Sequence, residues 1–276
     1  MASDTKLIIP LPEYRHEIAL AWISMHEVDA IIEEPNQLII YKEDGNLESI
    51  MDTISDKMSL GKAEMKIVTE PKKNWNSIWE SNFEPIEIGN LYVRATFHEA
   101  TTDKNKTELV ISPKMAFGTG HHETTYMMLS EMQNITFDSR TVLDYGCGTG
   151  ILAVFARMRK CGELTCNDIQ VEAVENTREH FEINGYNPEL ENILQGDLDV
   201  LGEESYDIIL ANINRHVLMN QDQSLYALLN KGGSLLMSGI LHTDKSMIID
   251  KYSTAGFVLQ SEAQRGEWCR FTFTTA

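Results

Sequence analysis

The run Val142-Leu143-Asp144-Tyr145-Gly146-Cys147-Gly148-Thr149-Gly150 carries the strongest chemical signal in the chain. An apolar stretch of strand type enters a turn with three alternate glycines, which then opens into a helix. Without Cβ atoms the backbone can turn sharply and a ligand can approach the main chain closely. The spacing is G-x-G-x-G, because Ile151 stands where a dinucleotide fold would place its third glycine. No G-x-x-x-x-G-K-[ST] run occurs there, which removes a Walker phosphate loop. About 20 residues beyond Gly146, at the end of the next strand-like segment, comes Asp168. Alone it would read as a helix cap. At that distance from a glycine turn, an acid accepts hydrogen bonds from ribose hydroxyls. Gly146, Gly148, Asp168 and the adjoining Ile169 therefore outline a site for a nucleoside-bearing cofactor.

Two later strand ends add polar groups. Asp197, in Gln195-Gly196-Asp197, sits where an adenine amine could be held, and capping of the turn accounts for it equally well. The apolar run of Asp207-Ile208-Ile209-Leu210-Ala211-Asn212-Ile213-Asn214 ends abruptly in an amide. In doubly wound folds ligands bind at the carboxyl ends of the strands, so Asn212 is the candidate catalytic residue, unless it only caps the next helix. Its oxygens are neutral acceptors that orient an amine, whereas a carboxylate would favour the ammonium form, which has no lone pair. Upstream, Ala116-Phe117-Gly118-Thr119-Gly120-His121-His122-Glu123-Thr124-Thr125 places glycines around a phenylalanine directly before a helix. It reads as a loop over a ligand, with Phe117 and His121 toward substrate and Thr125 on the first helical turn. The adjacent histidines lack the i, i+4 geometry of helical zinc ligands, so no metal is expected. Cys147, Cys161, Cys166 and Cys269 show no C-x-x-C spacing and read as reduced thiols.

The elements that must position these residues alternate regularly from Thr141 onward. TVLDYG, ELTCND, ENILQGD and YDIILANI read as strands separated by helices over 151–159 and 171–184. A helix over 217–229, the strand GSLLMSGI, a helix over 245–255 and two terminal strands in a hairpin follow. This pattern predicts a doubly wound, seven-stranded, mostly parallel α/β sheet with an antiparallel edge. The first seventy residues differ. Strand 7–12, helix 13–26, hairpin 30–35 and 37–43, helix 47–58 and strand 64–70 give the order βαββαβ, which fits a small α+β ferredoxin-like domain with a recognition role. The expected division is thus 1–70 for substrate recognition, a linker helix over 71–85 in which Trp75, Trp79 and Phe83 share one face, and a catalytic domain over 86–276.

A net charge of −19, from 42 acidic and 23 basic residues, repels phosphate backbones and attracts basic partners, which argues against direct nucleic-acid binding. The N-terminal residues lack the charged and apolar regions of a signal peptide, and no apolar run approaches the roughly 20 residues of a membrane span. A cytoplasmic enzyme without membrane contact is expected.

These motifs resemble the class I S-adenosylmethionine methyltransferases. Within them, DYGCGTG, NWNSIWESNFEP (74–85), SPKMAFGTGHHETT (112–125), DIILANI (207–213), KGGSLLMSGIL (231–241) and EWCRF (267–271) are similar in order and spacing to the signatures of the ribosomal protein L11 methyltransferases. The resemblance implies S-adenosyl-L-methionine as cofactor, contacted by Thr125, Gly146, Asp168 and Asn212. It also implies methylation of lysine or N-terminal amines of ribosomal protein L11 and a substrate-binding role for the N-terminal domain. Asn214-Arg215 departs from the small apolar residues usual after this motif. Two other readings stay open on the residues themselves: a methyltransferase acting on a small-molecule or nucleobase amine, and a cofactor-binding interaction protein without turnover.

Overall fold

A computed structural model describes residues 3–23, 26, 28, 30–42, 47–71, 84–112, 120–202 and 204–275. The chain divides into two compact units, Met1–Asn82 and Phe83–Ala276. The linker aromatics Trp75, Trp79 and Phe83 lie outside the described residues, as does Phe117.

In the first unit, strands β1 (Ser3–Pro10), β2 (Ala30–Glu34), β3 (Gln37–Lys42) and β4 (Lys66–Pro71) form a four-stranded sheet in the order β2-β3-β1-β4, every neighbouring pair antiparallel. Period-2 alternation in β1 turns Leu7 and Ile9 to one face, where register sets them opposite Ile40 and Leu38. Helices α1 (His16–Ile23) and α2 (Glu48–Met58) connect the strands, and Ile50, Ile54 and Met58 of α2 recur at four-residue spacing on its buried face. The helix expected over 13–26 opens instead with a 3-10 turn at Glu13–Arg15, placed by Pro12, whose extended backbone cannot belong to the helix.

The second unit holds two sheets. The smaller joins β5 (Ile86–Ile88), β6 (Leu91–Ala95) and β7 (Thr107–Ile111). After helix α3 (Glu123–Met132) come β8 (Val142–Tyr145), α4 (Ile151–Met158), β9 (Leu164–Asp168), α5 (Val171–Ile183), β10 (Asn192–Gln195) and β11 (Tyr206–Asn212). Helices α6 (Arg215–Leu218) and α7 (Asp222–Leu228), strand β12 (Leu229–Leu241), helix α8 (Lys245–Thr254) and strands β13 (Phe257–Arg265) and β14 (Trp268–Thr275) complete it. The large sheet runs β10-β9-β8-β11-β12-β14-β13, and only β14 is antiparallel to its neighbours. Strands β8, β9 and β10 proceed in one direction from the centre and β11 and β12 in the other. The order therefore reverses between β8 and β11, the switch point at which such sheets open a crevice.

Apolar cores cover both faces of this sheet. One includes Leu152, Phe155 and Phe181 together with Leu91, Val93, Leu109 and Ile111 from the small sheet. Asn184 fastens the small sheet to the end of α5, since its Oδ1 accepts from Val110 N–H at 2.9 Å and its Nδ2 donates to Val110 O at 2.8 Å. The other core gathers Ile209, Leu235, Tyr252, Phe257 and Phe273. The helix expected over 217–229 is in fact two. Asn214 caps α6 by accepting from His216 N–H at 2.9 Å, and α7 begins afresh at Asp222, which is buried and paired with Lys251 at 3.1 Å. Between the two helices the chain turns at Met219–Gln221, where Asn220 N–H donates to Val217 O and Gln221 N–H to Leu218 O. Among the described residues no helix is long and apolar enough to cross a membrane.

Candidate functional site

A cavity of about 500 Å³ opens at the carboxyl ends of β8, β9 and β10, walled on the far side by Ile213 and Val217 just beyond β11. Its floor is the glycine turn. The N–H groups of Gly146 and Cys147 both donate to Asn167 O, at 2.8 and 3.0 Å, which fastens the turn onto β9. Gly146 has φ +69°, and a Cβ on it would lie 2.3 Å from Ile213 Cγ2. Gly148 has φ +57°, and a Cβ there would meet nothing within 4 Å. It lines the cavity, so any side chain at this position would project into ligand space. The first glycine is thus demanded by packing and the second by the cavity.

Asp168 stands beside the turn. Its Oδ2 accepts from Gly148 N–H at 3.0 Å and its Oδ1 from Gln170 N–H at 3.0 Å. Gln170, not Asp168, is the N-cap of α5. A carboxylate has about four acceptor positions, so two backbone bonds leave capacity for hydroxyls. The next residue, Ile169, is 69% exposed and lines the same cavity, an apolar side chain left uncovered where a planar ring could lie. Asp197 accepts from Leu198 N–H at 2.8 Å as a turn cap, and on the same Oδ1 from the Tyr145 hydroxyl at 2.6 Å. Burial, followed by Asp197 itself, holds the Tyr145 hydroxyl well above its ordinary pKa, so it remains a donor. With Asp168, Glu172 and Asp197 in its lining, the cavity is electronegative and suits a ligand carrying positive charge.

Asn212 and Thr125 lie outside this lining and meet each other. Asn212 Nδ2 donates to Thr125 Oγ1 at 3.2 Å, and Thr125 is fully buried on the first turn of α3. His122 caps that helix, accepting from Thr124 N–H at 3.3 Å, and rests edge-on against Trp268 at 5.1 Å. Capping of α6 is done by Asn214, so Asn212 is released from that role. Its Oδ1 is buried and has no hydrogen-bond partner among the described residues. Such an orphan costs about 1–3 kcal/mol, a sum rarely tolerated without a purpose. His121 is placed elsewhere, its Nε2 2.8 Å from Glu84 O. No group of three or more potential metal ligands occurs among the described residues.

Some residues at the cavity escaped the reading of the sequence. Tyr145 and Asn167 look like ordinary strand residues, and only their position as the last or next-to-last residue of a strand marks them. Asn167 is fully buried, gives its Nδ2 to Gly196 O at 3.0 Å, and leaves Oδ1 without a partner among the described residues. Asp144, beneath the glycine turn, is fully buried and accepts from Ala153 N–H at 3.0 Å. Burial, opposed by that bond and reinforced by the charge of Asp168, raises its pKa from 3.8 to about 7.

A switch-point crevice floored by a glycine turn, with an acid at the end of β9 and an amide at the end of β11, defines a doubly wound α/β fold of methyltransferase type. The family model for ribosomal protein L11 methyltransferase (PrmA) matches residues 16–276. Ribosomal protein L11 methyltransferases of Bacteroides fragilis and Porphyromonas gingivalis are 37% and 38% identical over 204 and 208 residues, covering 73% and 74% of this chain and 72% and 71% of theirs. That of Pasteurella multocida is 31% identical over 235 residues, covering 84% of this chain and 79% of its own. The crystal structure of a ribosomal protein L11 methylase from Lactobacillus delbrueckii subsp. bulgaricus superposes with a TM-score of 0.64 at 22% identity, covering 70% of this chain and 98% of that one. The chain belongs to the ribosomal protein L11 methyltransferase family.

Proposed function

We propose that this enzyme transfers methyl groups from S-adenosylmethionine to lysine or N-terminal amines of ribosomal protein L11. The single observation that carries the reading is the orphaned Oδ1 of Asn212 at the switch point, next in the chain to Ile213 in the wall of the electronegative cavity. The residues present fit the cofactor. Gly148 leaves open the space that a Cβ would fill, Asp168 has spare acceptor capacity, Ile169 offers an apolar surface to a base, and Asp197 accepts at the opposite end. When bound, S-adenosylmethionine supplies an electrophilic sulfonium methyl.

The chain's own groups then have two tasks. Asn212 Oδ1 accepts an N–H of the target amine and turns the nitrogen lone pair toward the cavity, and Thr125 holds the amide in place. The second task is to keep the amine neutral. A lysine with a pKa of about 10.4 loses its proton near pH 7 at a cost of roughly 4–5 kcal/mol, and an N-terminal amine near 7.7–8.0 at about 1 kcal/mol. A neutral acceptor does not deepen that cost as a carboxylate would, so positioning and exclusion of water are the main catalytic contributions. Residues 1–70 serve substrate recognition in this reading, and residues from about 86 onward bind the cofactor.

Intact-mass analysis of purified large-subunit proteins incubated with enzyme and S-adenosylmethionine tests it. Mass gains in steps of one methyl on L11 alone are expected. Methylation of another protein, or none, would refute the assignment.

A further inference from the structure

We infer that Arg215 is a positioning residue for the transfer reaction: paired with Asp244, it fixes the start of α6 and, through it, the placing of Asn212. This rests on the reading of Asn212 as the group that orients the amine. Arg215 belongs to the two-residue departure that follows the strand-end amide, and it has no direct part in the transfer.

Asp244 stands at the N-cap position of α8, where an aspartate ordinarily accepts from the first free N–H groups of a helix. It makes no such bond. Its Oδ1 accepts instead from Arg215 Nη1 at 2.7 Å, so the carboxylate forgoes a local partner for an arginine 29 residues earlier. Both side chains are largely withdrawn from solvent, 30% exposed for Arg215 and 18% for Asp244, and a charge-assisted bond in such surroundings is stronger than a neutral one. The second arm of the guanidinium lies 3.3 Å from His216 Nε2, which can only accept from it.

The pair braces a segment that is held at two further points. Asn212 is level with Ser238 in the parallel register of β11 and β12, so Ile213 comes alongside Gly239. Gly239 has φ +88°, and a Cβ there would lie 2.1 Å from Ile213 O, a backbone atom that cannot swing aside. At the far end of α6, Leu218 O accepts from the buried Tyr252 hydroxyl of α8 at 3.0 Å. Residues two apart on a helix point about 200° from each other, so with Val217 lining the cavity Arg215 faces away from it. Arg215 therefore acts through the backbone. It sets how closely α6 and the turn before it lie against the ends of β12 and α8, and that turn begins at Ile213, directly after Asn212.

Methylation kinetics of the natural chain, Arg215→Met, Asp244→Asn and the double variant test this, with calorimetric titration of S-adenosylhomocysteine alongside. Arg215→Met should lower kcat on L11 about tenfold and cofactor affinity by less than about threefold, since small misplacements cost most at the reacting groups. Asp244→Asn should do the same. The double variant should be no slower than either single one, as for two halves of one interaction. A kcat for Arg215→Met within about twofold of the natural value overturns the inference, and so do losses that multiply in the double variant. Equal losses of kcat and cofactor affinity mark a merely structural role and overturn it as well. Should Arg215→Met fail to fold, Asp244→Asn carries the same comparison, because it removes the same attraction and keeps the size of the side chain. A natural chain that binds S-adenosylhomocysteine yet methylates no amine of L11 would instead overturn the proposed function, and the inference with it.

Discussion

Asp144 turns the burial of one carboxyl group into a pH dependence of the whole second unit. Folded, it binds its proton up to about pH 7, and unfolded only to about 3.8. Between these values the native state holds more protons than the unfolded one, so stability is fully present below pH 3.8 and drains away as pH rises to about 7. At about 1.36 kcal/mol per pH unit, the whole span amounts to about 4 kcal/mol, and the part between pH 5 and 8 to about 3. Asp144→Asn keeps an acceptor for Ala153 N–H and cannot ionise. Any cost of the buried amide is the same at every pH, so it cancels when the two pH values are compared. Urea unfolding of both proteins at pH 5 and pH 8, followed through the second unit, should show the variant gaining about 3 kcal/mol relative to the natural chain at the higher pH. An unchanged difference between the two conditions would refute the claim that this carboxyl is buried as an acid, and the opposite sign would mean that the native fold favours the charged form.

The remaining expectations concern the cavity and the division of labour. Asp168→Ala should weaken S-adenosylmethionine binding by roughly 1.5–3 kcal/mol in calorimetry while unfolding little changed, as fits hydrogen bonds to a charged group; an unaltered dissociation constant would remove Asp168 from the site. Gly148→Val should abolish binding, since its side chain enters space where nothing lies within 4 Å, and near-normal affinity would sink the glycine-turn argument. Asn212→Ala should lower kcat by on the order of 100-fold with cofactor affinity changed far less, read by single-turnover methylation, because positioning of the amine is lost. A chain beginning near Lys72 should retain cofactor affinity and lose most methylation of L11; equal activity would give the first unit another role.

What the residues themselves determined is local. Alternate glycines after an apolar strand specify a tight turn because positive φ is cheap only there, and the observed φ values of Gly146 and Gly148 are +69° and +57°. The start of helix α3 was legible, since Thr125 was expected on the first turn and the helix opens at Glu123. Alternation of strand and helix patterns sufficed for a mostly parallel sheet. Pairings between distant segments were beyond it. Thr125 meets Asn212, and Tyr145 meets Asp197, only because the sheet order brings the ends of β10, β9, β8 and β11 to one edge, with each partner far off in the chain. The pairing of buried Asp222, the first residue of α7, with Lys251 of α8 is likewise a long-range contact. Asn167 and Asp144 carry no pattern of their own, because a buried acceptor without a donor, or a carboxyl that keeps its proton, is defined by what surrounds it. Hydrogen-bond satisfaction and desolvation are properties of the packed molecule, so the tertiary structure alone decided which acceptor is left unmet and which carboxyl keeps its proton.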